Sequence, residues 1–275
     1  MDILHISDLH FGPPYVPAAG EALLRQAREW NPHAIVISGD FTQRAKASQF
    51  TRARAFLDQL PDLPTVVVPG NHDVPLYRVL ERLFQPRALY QEHISQELDS
   101  VHRFPGVVMV GLDSTSPRRA ISNGRIHRDQ LDFCEAAFAD SAPGDIKIVV
   151  THHHFAPAPD YEKDQVMPQA RRALDRFVDM GVEMILGGHL HRAYIGNSLD
   201  VYPGRKPDRG IIIVQSGTTT SRRGRARERE RNSLNLVRLE EEIFEITHFL
   251  FKDHLEAFLP HSRHIFPRPG NWLQD

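Results

Sequence analysis

Five short blocks gather the side chains best able to do chemistry: Ser7-Asp8-Leu9-His10, Ser38-Gly39-Asp40, Pro69-Gly70-Asn71-His72-Asp73, Thr151-His152-His153-His154 and Gly187-Gly188-His189-Leu190-His191. The chain carries 16 histidines, and several sit beside Asp, Asn or Gly at the ends of apolar runs. Oxygen donors mixed with imidazole nitrogens suit Mn, Fe, Zn, Co or Ni and not Ca²⁺, which takes oxygen alone. Singly, each block has a plain reading. Asp-x-His arises by chance in exposed loops, Gly-Asp is most often a turn, His-x-His is most often surface, and a His run can be solvated. Gly70-Asn71-His72-Asp73 after a valine run is more specific. The joint pattern carries the argument, because five separate strand ends bearing ligand-type residues in one chain are hard to produce by accident.

Each block follows an apolar run that reads as a strand, which is where open α/β sheets place their sites. The i, i+2 spacing of Asp8 and His10 would aim both side chains one way from an extended segment. Strands are expected at Ile3–Ser7, Ala34–Ser38, Thr65–Val68, Val107–Leu112, Ile146–Val150, Glu183–Leu186, Ile211–Gln215, Leu234–Leu239 and Ile243–Phe249. Apolar spacing of three and four predicts helices over Ala18–Trp30, Ala47–Leu60, Arg128–Ala139 and Pro168–Met180, with Leu76–Glu97 mostly helical and broken at Pro86. Three strand-then-helix units at the start argue for a buried, largely parallel sheet, followed by a more antiparallel finish. One domain is expected over residues 1–259, with residues 260–275, rich in Pro, His and Arg, as a loosely packed tail.

Bulk composition is that of a globular protein, with 41% apolar and 25% charged residues. The net charge of −2 supplies no global pull on nucleic acid or anionic membrane. No apolar run approaches the roughly 20 residues of a membrane span. The N-terminus reads as a strand with no secretory signal, and Cys134 is the single cysteine, so a cytoplasmic location is expected. The segment from Arg222 to Arg231 alternates Arg with Glu, Gly and Ala and reads as a solvated loop. Its arginines contacting extra phosphates is the competing reading. Phe249-Leu250-Phe251 is either an edge strand that pairs with a second copy in a homodimer or part of the core.

The ordered set Asp-x-His, Gly-Asp, Gly-Asn-His-Asp, His and Gly-His-x-His resembles the calcineurin-like metallophosphoesterase superfamily, specifically and from Asp8 to His191. The resemblance implies two mixed sheets packed face to face with helices outside, an α/β/β/α sandwich. It implies one metal held by Asp8, His10, Asp40 and His191, and a second by Asp40, Asn71, His152 and His189, with Asp40 shared. It implies in-line attack on phosphorus by a hydroxide bridging two transition-metal ions, His72 assisting at the leaving oxygen and Asp73 orienting the His72 ring. Where the family often shows His-His-Pro-Pro, this chain has His152-His153-His154-Phe155-Ala156-Pro157, so His153 is the fallback ligand. His153 and His154 otherwise touch substrate or line the rim. The expected substrate is a small anionic phosphodiester, with a cyclic nucleotide as one candidate suggested by a likeness to the bacterial cyclic-nucleotide branch. A nuclease or a lipid- or nucleotide-linked pyrophosphatase is the enzymatic alternative. A binding protein without catalysis and a single zinc clamp are the others.

Overall fold

The computed structural model describes residues 1–118, 124–157, 165–204 and 209–269. In chain order the first half runs β1 (Asp2–Ile6), α1 (Pro17–Trp30), β2 (Ala34–Ile37), α2 (Ala47–Leu57), β3 (Thr65–Val67), α3 (Val79–Phe84), α4 (Ala88–His93), β4 (Ser100–Phe104) and β5 (Val107–Gly111). The second half runs α5 (Arg128–Ala139), β6 (Ile146–Val150), α6 (Ala170–Met180), β7 (Met184–Gly187), β8 (Tyr194–Asn197), β9 (Ile212–Gln215), β10 (Ser233–Leu239), β11 (Ile243–Lys252) and β12 (Ala257–Pro267).

These strands form two six-stranded sheets, ordered β12-β11-β10-β1-β2-β3 and β4-β5-β6-β7-β9-β8. β1, β2 and β3 pair in parallel, and β10, β11 and β12 extend that sheet antiparallel. In the other sheet β5, β6, β7 and β9 are parallel between antiparallel edges β4 and β8. Both sheets are mixed, as the resemblance implied.

Strand side chains alternate between two destinations, so most strands are apolar on both faces. Ile3, Val36, Val107, Met109, Ile148, Val150, Met184 and Val237 meet in a core between the sheets. Leu4, Ile6, Ile35 and Ile37 face outward, onto Ala19, Leu23 and Ala27 of α1 and Phe50 and Ala53 of α2. Val108, Val110, Val149 and Ile185 face the other way, onto Leu131 and Cys134 of α5 and Leu174 and Phe177 of α6. Four layers result, and the blocks that follow the parallel strands of both sheets converge at one end. Cys134 is buried in this packing, and burial pushes its thiol up to about 12, so it is no nucleophile.

Helix boundaries have local causes. Pro17 opens α1 and Asn31 closes it in the left-handed conformation at φ 44°, with Pro32 after it. Pro86 falls between α3 and α4. α3 buries nothing, leaving Tyr77, Val79, Leu80 and Phe84 exposed around it. Among the described residues no helix is long and apolar enough to cross a membrane.

One expectation changes, and one open alternative is decided in favour of the core. Pro260 does not begin a loose tail, because β12 continues to Pro267 and pairs with β11 along its length. A register shift at His248/Phe249, opposite Pro260, accommodates a residue that cannot donate to the ladder. Residues 270–275 of the expected tail lie outside the described residues. Phe249-Leu250-Phe251 is not an edge either: β11 is flanked by β10 and β12, and all three side chains are buried.

Candidate active site

Asp8, His10, Asp40, His152, His189 and His191 lie in loops just past β1, β2, β6 and β7, and Asn71 opens a short 3-10 turn, Asn71–Asp73, after β3. Their backbone is not the extended one expected from the spacing of Asp8 and His10. Asp8, His10, Asp40, His189 and His191 have φ of 53°, 48°, 57°, 74° and 56°. A left-handed conformation at non-glycine residues costs on the order of 1–3 kcal/mol each and persists where the surroundings over-determine it. Here the strain turns side chains from two sheets toward one point.

Each aspartate has one oxygen anchored and one aimed inward. Asp8 Oδ2 accepts from Ser7 Oγ at 2.7 Å and from the His189 backbone N–H at 3.0 Å. Its Oδ1 is buried, without a hydrogen bond, 3.4 Å from His10 Nε2 and 3.0 Å from His191 Nε2. Asp40 Oδ1 accepts from the His72 backbone N–H at 2.7 Å. Its Oδ2 is buried, without a hydrogen bond, 3.6 Å from His10 Nε2 and 3.4 Å from His152 Nε2. Asn71 Oδ1 lies 3.1 Å from His152 Nε2 and 2.9 Å from His189 Nδ1.

Backbone carbonyls fix three of the imidazole tautomers. His10 Nδ1 faces Thr42 O at 3.3 Å, His152 Nδ1 faces Ser38 O at 2.7 Å, and His191 Nδ1 faces Arg223 O at 3.1 Å. A carbonyl only accepts, so each Nδ1 carries the proton and each Nε2 is free to offer its lone pair inward. His10 Nε2 and His191 Nε2 are 3.1 Å apart, a repulsive approach of two lone pairs that either a shared proton or a metal cation between them relieves. Orphaned carboxylate oxygens beside inward lone pairs are the donor set of a transition metal, so the residues fit the implied cofactor. Asp8, His10, Asp40 and His191 offer one group of ligand atoms, and His152 and His189 another with His153 beside them. Asp40 Oδ2 reaches a histidine of each group.

Electrostatics agree. The surrounding imidazoles, His191 foremost, hold Asp8 well below the usual carboxylate range against the opposing effect of burial. Asp40 is lowered likewise, burial again opposing and His152 leading the attraction. Burial works to lower His152, but Asp40 above all lifts it to about 9. Burial takes His10 down to about 4, against Asp8 and Asp40. A proton on His152 thus stands in part where a cation would, and metal uptake would release it.

Gly39 makes the approach possible. Its φ is +94°, and a Cβ there would fall 2.6 Å from His152 Nδ1 and 2.9 Å from the Gly70 backbone nitrogen. Gly39→Ala is expected to lower stability by more than the roughly 1–2 kcal/mol of left-handed strain alone, and to lower metal content. Thermal unfolding and metal analysis on one preparation check both.

Two sequence-derived roles need correcting. His72 Nδ1 bonds the carbonyl of Gln43 at 2.9 Å, so that carbonyl, not Asp73, orients the ring. Asp73 instead accepts from the Gly70 N–H at 2.9 Å, the Thr42 N–H at 2.9 Å, the Phe41 N–H at 3.2 Å and Thr42 Oγ1 at 3.1 Å. It ties the Asp40 loop to the Asn71 loop. His153 and His154 do not line the rim: both are buried, His153 against Ser114 Oγ at 2.8 Å and His154 stacked on His189 with centroids 5.5 Å apart.

A cleft of about 400 Å³ opens over the cluster, lined by Asp40, Asn71, His72, His189 and His191. Its remaining wall is Gln43, Arg44, Val74, Leu76, Arg223 and Arg225. The arginine segment is therefore a solvated loop only in part: Arg222, Arg229 and Glu230 are exposed, while half-buried Arg223 and exposed Arg225 line the cleft. Its strut is Glu228, buried at 3% exposure, which accepts from Ala193 N–H at 2.6 Å and Ser233 Oγ at 2.6 Å and lies 3.5 Å from His248 Nε2. Burial works to raise Glu228, but His248 first and then Ser233 and Ala193 bring it below the ordinary carboxylate value. A depressed carboxylate stabilises the fold above its unfolded pKa of about 4.3, and that contribution fades as pH falls toward the folded value. Glu228→Gln is expected to flatten the acid limb of stability against pH in chelated protein, read from urea midpoints.

Two packed mixed sheets with this cluster at their strand ends define a metallophosphoesterase-type fold. The calcineurin-like phosphoesterase profile matches residues 1–193, and the chain belongs to that family. The whole fold is similar to purple acid phosphatase PPD1 from yellow lupin at TM-score 0.73 and 12% identity, covering 98% of this chain and 54% of that one. This chain thus spans about half the length of the lupin enzyme. A dimetal phosphatase from Danio rerio is similar at TM-score 0.67 and 12% identity, covering 98% of this chain and 99% of that one. A Vps29 single mutant from Entamoeba histolytica reaches TM-score 0.50 at 12% identity, covering 97% and 99% of the two chains. At such identities the likeness concerns the fold. No curated protein sequence matches the chain.

Proposed function

We propose that the protein is a dinuclear metal-dependent hydrolase of a small phosphodiester. The observation that carries this reading is Asp40 Oδ2, buried and orphaned between His10 Nε2 and His152 Nε2, one from each group of candidate ligands. Asp8, His10, Asp40 and His191 would hold one ion, and Asp40, Asn71, His152 and His189 the other, with His153 as the alternative to His152. Bound there, two transition-metal ions supply Lewis-acid stabilisation of phosphoryl charge and acidify water toward neutral pH.

The chain's own residues do the rest. Asn71 and the inward imidazoles are neutral donors, so two carboxylates leave the site electropositive for an anionic ester. His72, on the cleft with Nδ1 held by Gln43, would deliver a proton from Nε2 to the leaving oxygen in its imidazolium form. The cleft volume of about 400 Å³ suits a small molecule.

The test is a substrate panel with Mn²⁺-loaded protein: bis-p-nitrophenyl phosphate, p-nitrophenyl phosphate, cyclic AMP and single-stranded polynucleotide. Faster cleavage of small diesters than of monoester or polymer is expected. Turnover of the monoester alone would refute the diesterase reading, and intact cyclic AMP beside a cleaved diester would exclude the cyclic-nucleotide version.

A further inference from the structure

The candidate cation site makes no use of the Arg223 and Arg225 side chains. Both line the cleft with Arg44, beside Asn71 and His191. Arg223 is half-buried, within electrostatic reach of Asp8, Asp40, Arg44 and Arg225. The loop that carries the pair is fixed in place. The Arg225 N–H donates to His191 O at 3.0 Å, and His191 Nδ1 donates to Arg223 O at 3.1 Å. At Gly224 between them, a Cβ would collide with backbone of Glu228 and Arg231. The acids of the segment are not in the cleft wall: Glu228 is buried under Ser233 and His248, and Glu230 is exposed to solvent.

Charge balance then speaks to the substrate. One phosphodiester carries a single negative charge. Two divalent cations against Asp8, Asp40 and a hydroxide would leave the site at about +1, which one such anion already balances. Three further guanidiniums, one of them partly desolvated, exceed what one such anion compensates, and guanidinium forks are well matched to phosphate oxygens. We propose that the cleft takes a small organic molecule with two phosphates, the scissile one over the metal ligands and the second held by Arg223 and Arg225 with Arg44 nearby. This rests on the phosphoesterase reading above and narrows it.

The test compares adenosine 3′,5′-bisphosphate with adenosine 5′-monophosphate, which differ by one phosphate. Both are titrated by calorimetry into metal-loaded wild type, Arg223→Ala/Arg225→Ala and Arg222→Ala, the last an exposed residue that does not line the cleft. Wild type and Arg222→Ala are expected to bind the bisphosphate at least about tenfold tighter, as one charge-assisted contact allows, and the double variant to lose that preference. If the double variant loses metal, exposed Arg225→Ala alone is read instead and should reduce the preference. Equal affinity of wild type for both ligands would overturn the inference. So would an equal loss of both ligands in the variant, which would place the arginines on the reacting phosphate. Tighter, steeply salt-dependent binding of a single-stranded oligonucleotide would overturn the small-molecule assignment. Should the bisphosphate bind through these arginines while no phosphoester is hydrolysed, the second-phosphate site stands and the phosphoesterase reading falls.

Discussion

Asp40→Asn is expected to reduce bound metal from about two ions per chain to one or none, and to slow phosphodiester turnover by on the order of 10³-fold, equivalent to about 4 kcal/mol of transition-state stabilisation. The expectation follows from the division of labour between its oxygens. Oδ1 accepts from the His72 N–H at 2.7 Å, a bond the asparagine oxygen can keep. Oδ2 faces His10 and His152 without a hydrogen bond, and an amide NH₂ there would point protons at two positions meant for a cation. The variant should therefore fold and lose the pair. It carries an internal check as well. Asp40 is the chief influence lifting His152 to about 9, so the His152 ring in metal-free Asp40→Asn should titrate at lower pH than in wild type. Metal analysis, diesterase assay and an NMR titration read the three effects. Full metal content in the variant would remove Asp40 from the centre of the account.

His72→Ala is expected to do the opposite to the metals and nearly as much to the rate: metal content unchanged, kcat lower by about 10²–10⁴-fold as for loss of a general acid. The ring lies edge-on to His10 with centroids 4.8 Å apart and lines the cleft, yet its Nδ1 is spent on the Gln43 carbonyl. Burial foremost, with Arg223 adding and Asp40 opposing, sets its pKa below the ordinary histidine value, so the imidazolium form that donates from Nε2 is a stronger acid but a minority species near neutral pH. A proton donor matters most when the departing oxygen is basic. The defect should be large for an alkyl leaving group and small for p-nitrophenolate. An equal defect for both would move His72 from proton delivery to a passive role, and loss of metal would make it a ligand.

Much of this was legible in the residues, for a physical reason. Buried parallel strands must be apolar on both faces, so Ala34–Ile37 or Ile146–Val150 announce themselves, and the polar block after each stands out. The same reason hid β4, β8 and β12, which are edge strands of the two sheets. Their sequences Ser-Val-His-Arg-Phe, Tyr-Ile-Gly-Asn and Ala-Phe-Leu-Pro-His-Ser-Arg mix polar residues and proline because one side faces solvent. In the site, residue type and order sufficed to pick out Asp8 through His191, but not the backbone that delivers them. Nothing in Asp-x-His says that both residues take positive φ. Asp73 beside His72 invited a pairing that the fold gives to the Gln43 carbonyl, a group every residue carries and no pattern flags. Arg223 and Arg225 were hidden by their neighbours. Glu228 and Glu230 diluted the run as a sequence, while in space Glu228 turns inward and the arginines face the cleft.

The most direct measurement is electron paramagnetic resonance of the protein loaded with Mn²⁺, beside Asp40→Asn. Two ions sharing one carboxylate oxygen at about 3.5–4 Å must be magnetically coupled, so wild type should show the multiline spectrum of an exchange-coupled pair and the variant at most an isolated ion. Wild-type protein that shows only independent, uncoupled Mn²⁺, or that stays metal-free in excess manganese, would contradict the account.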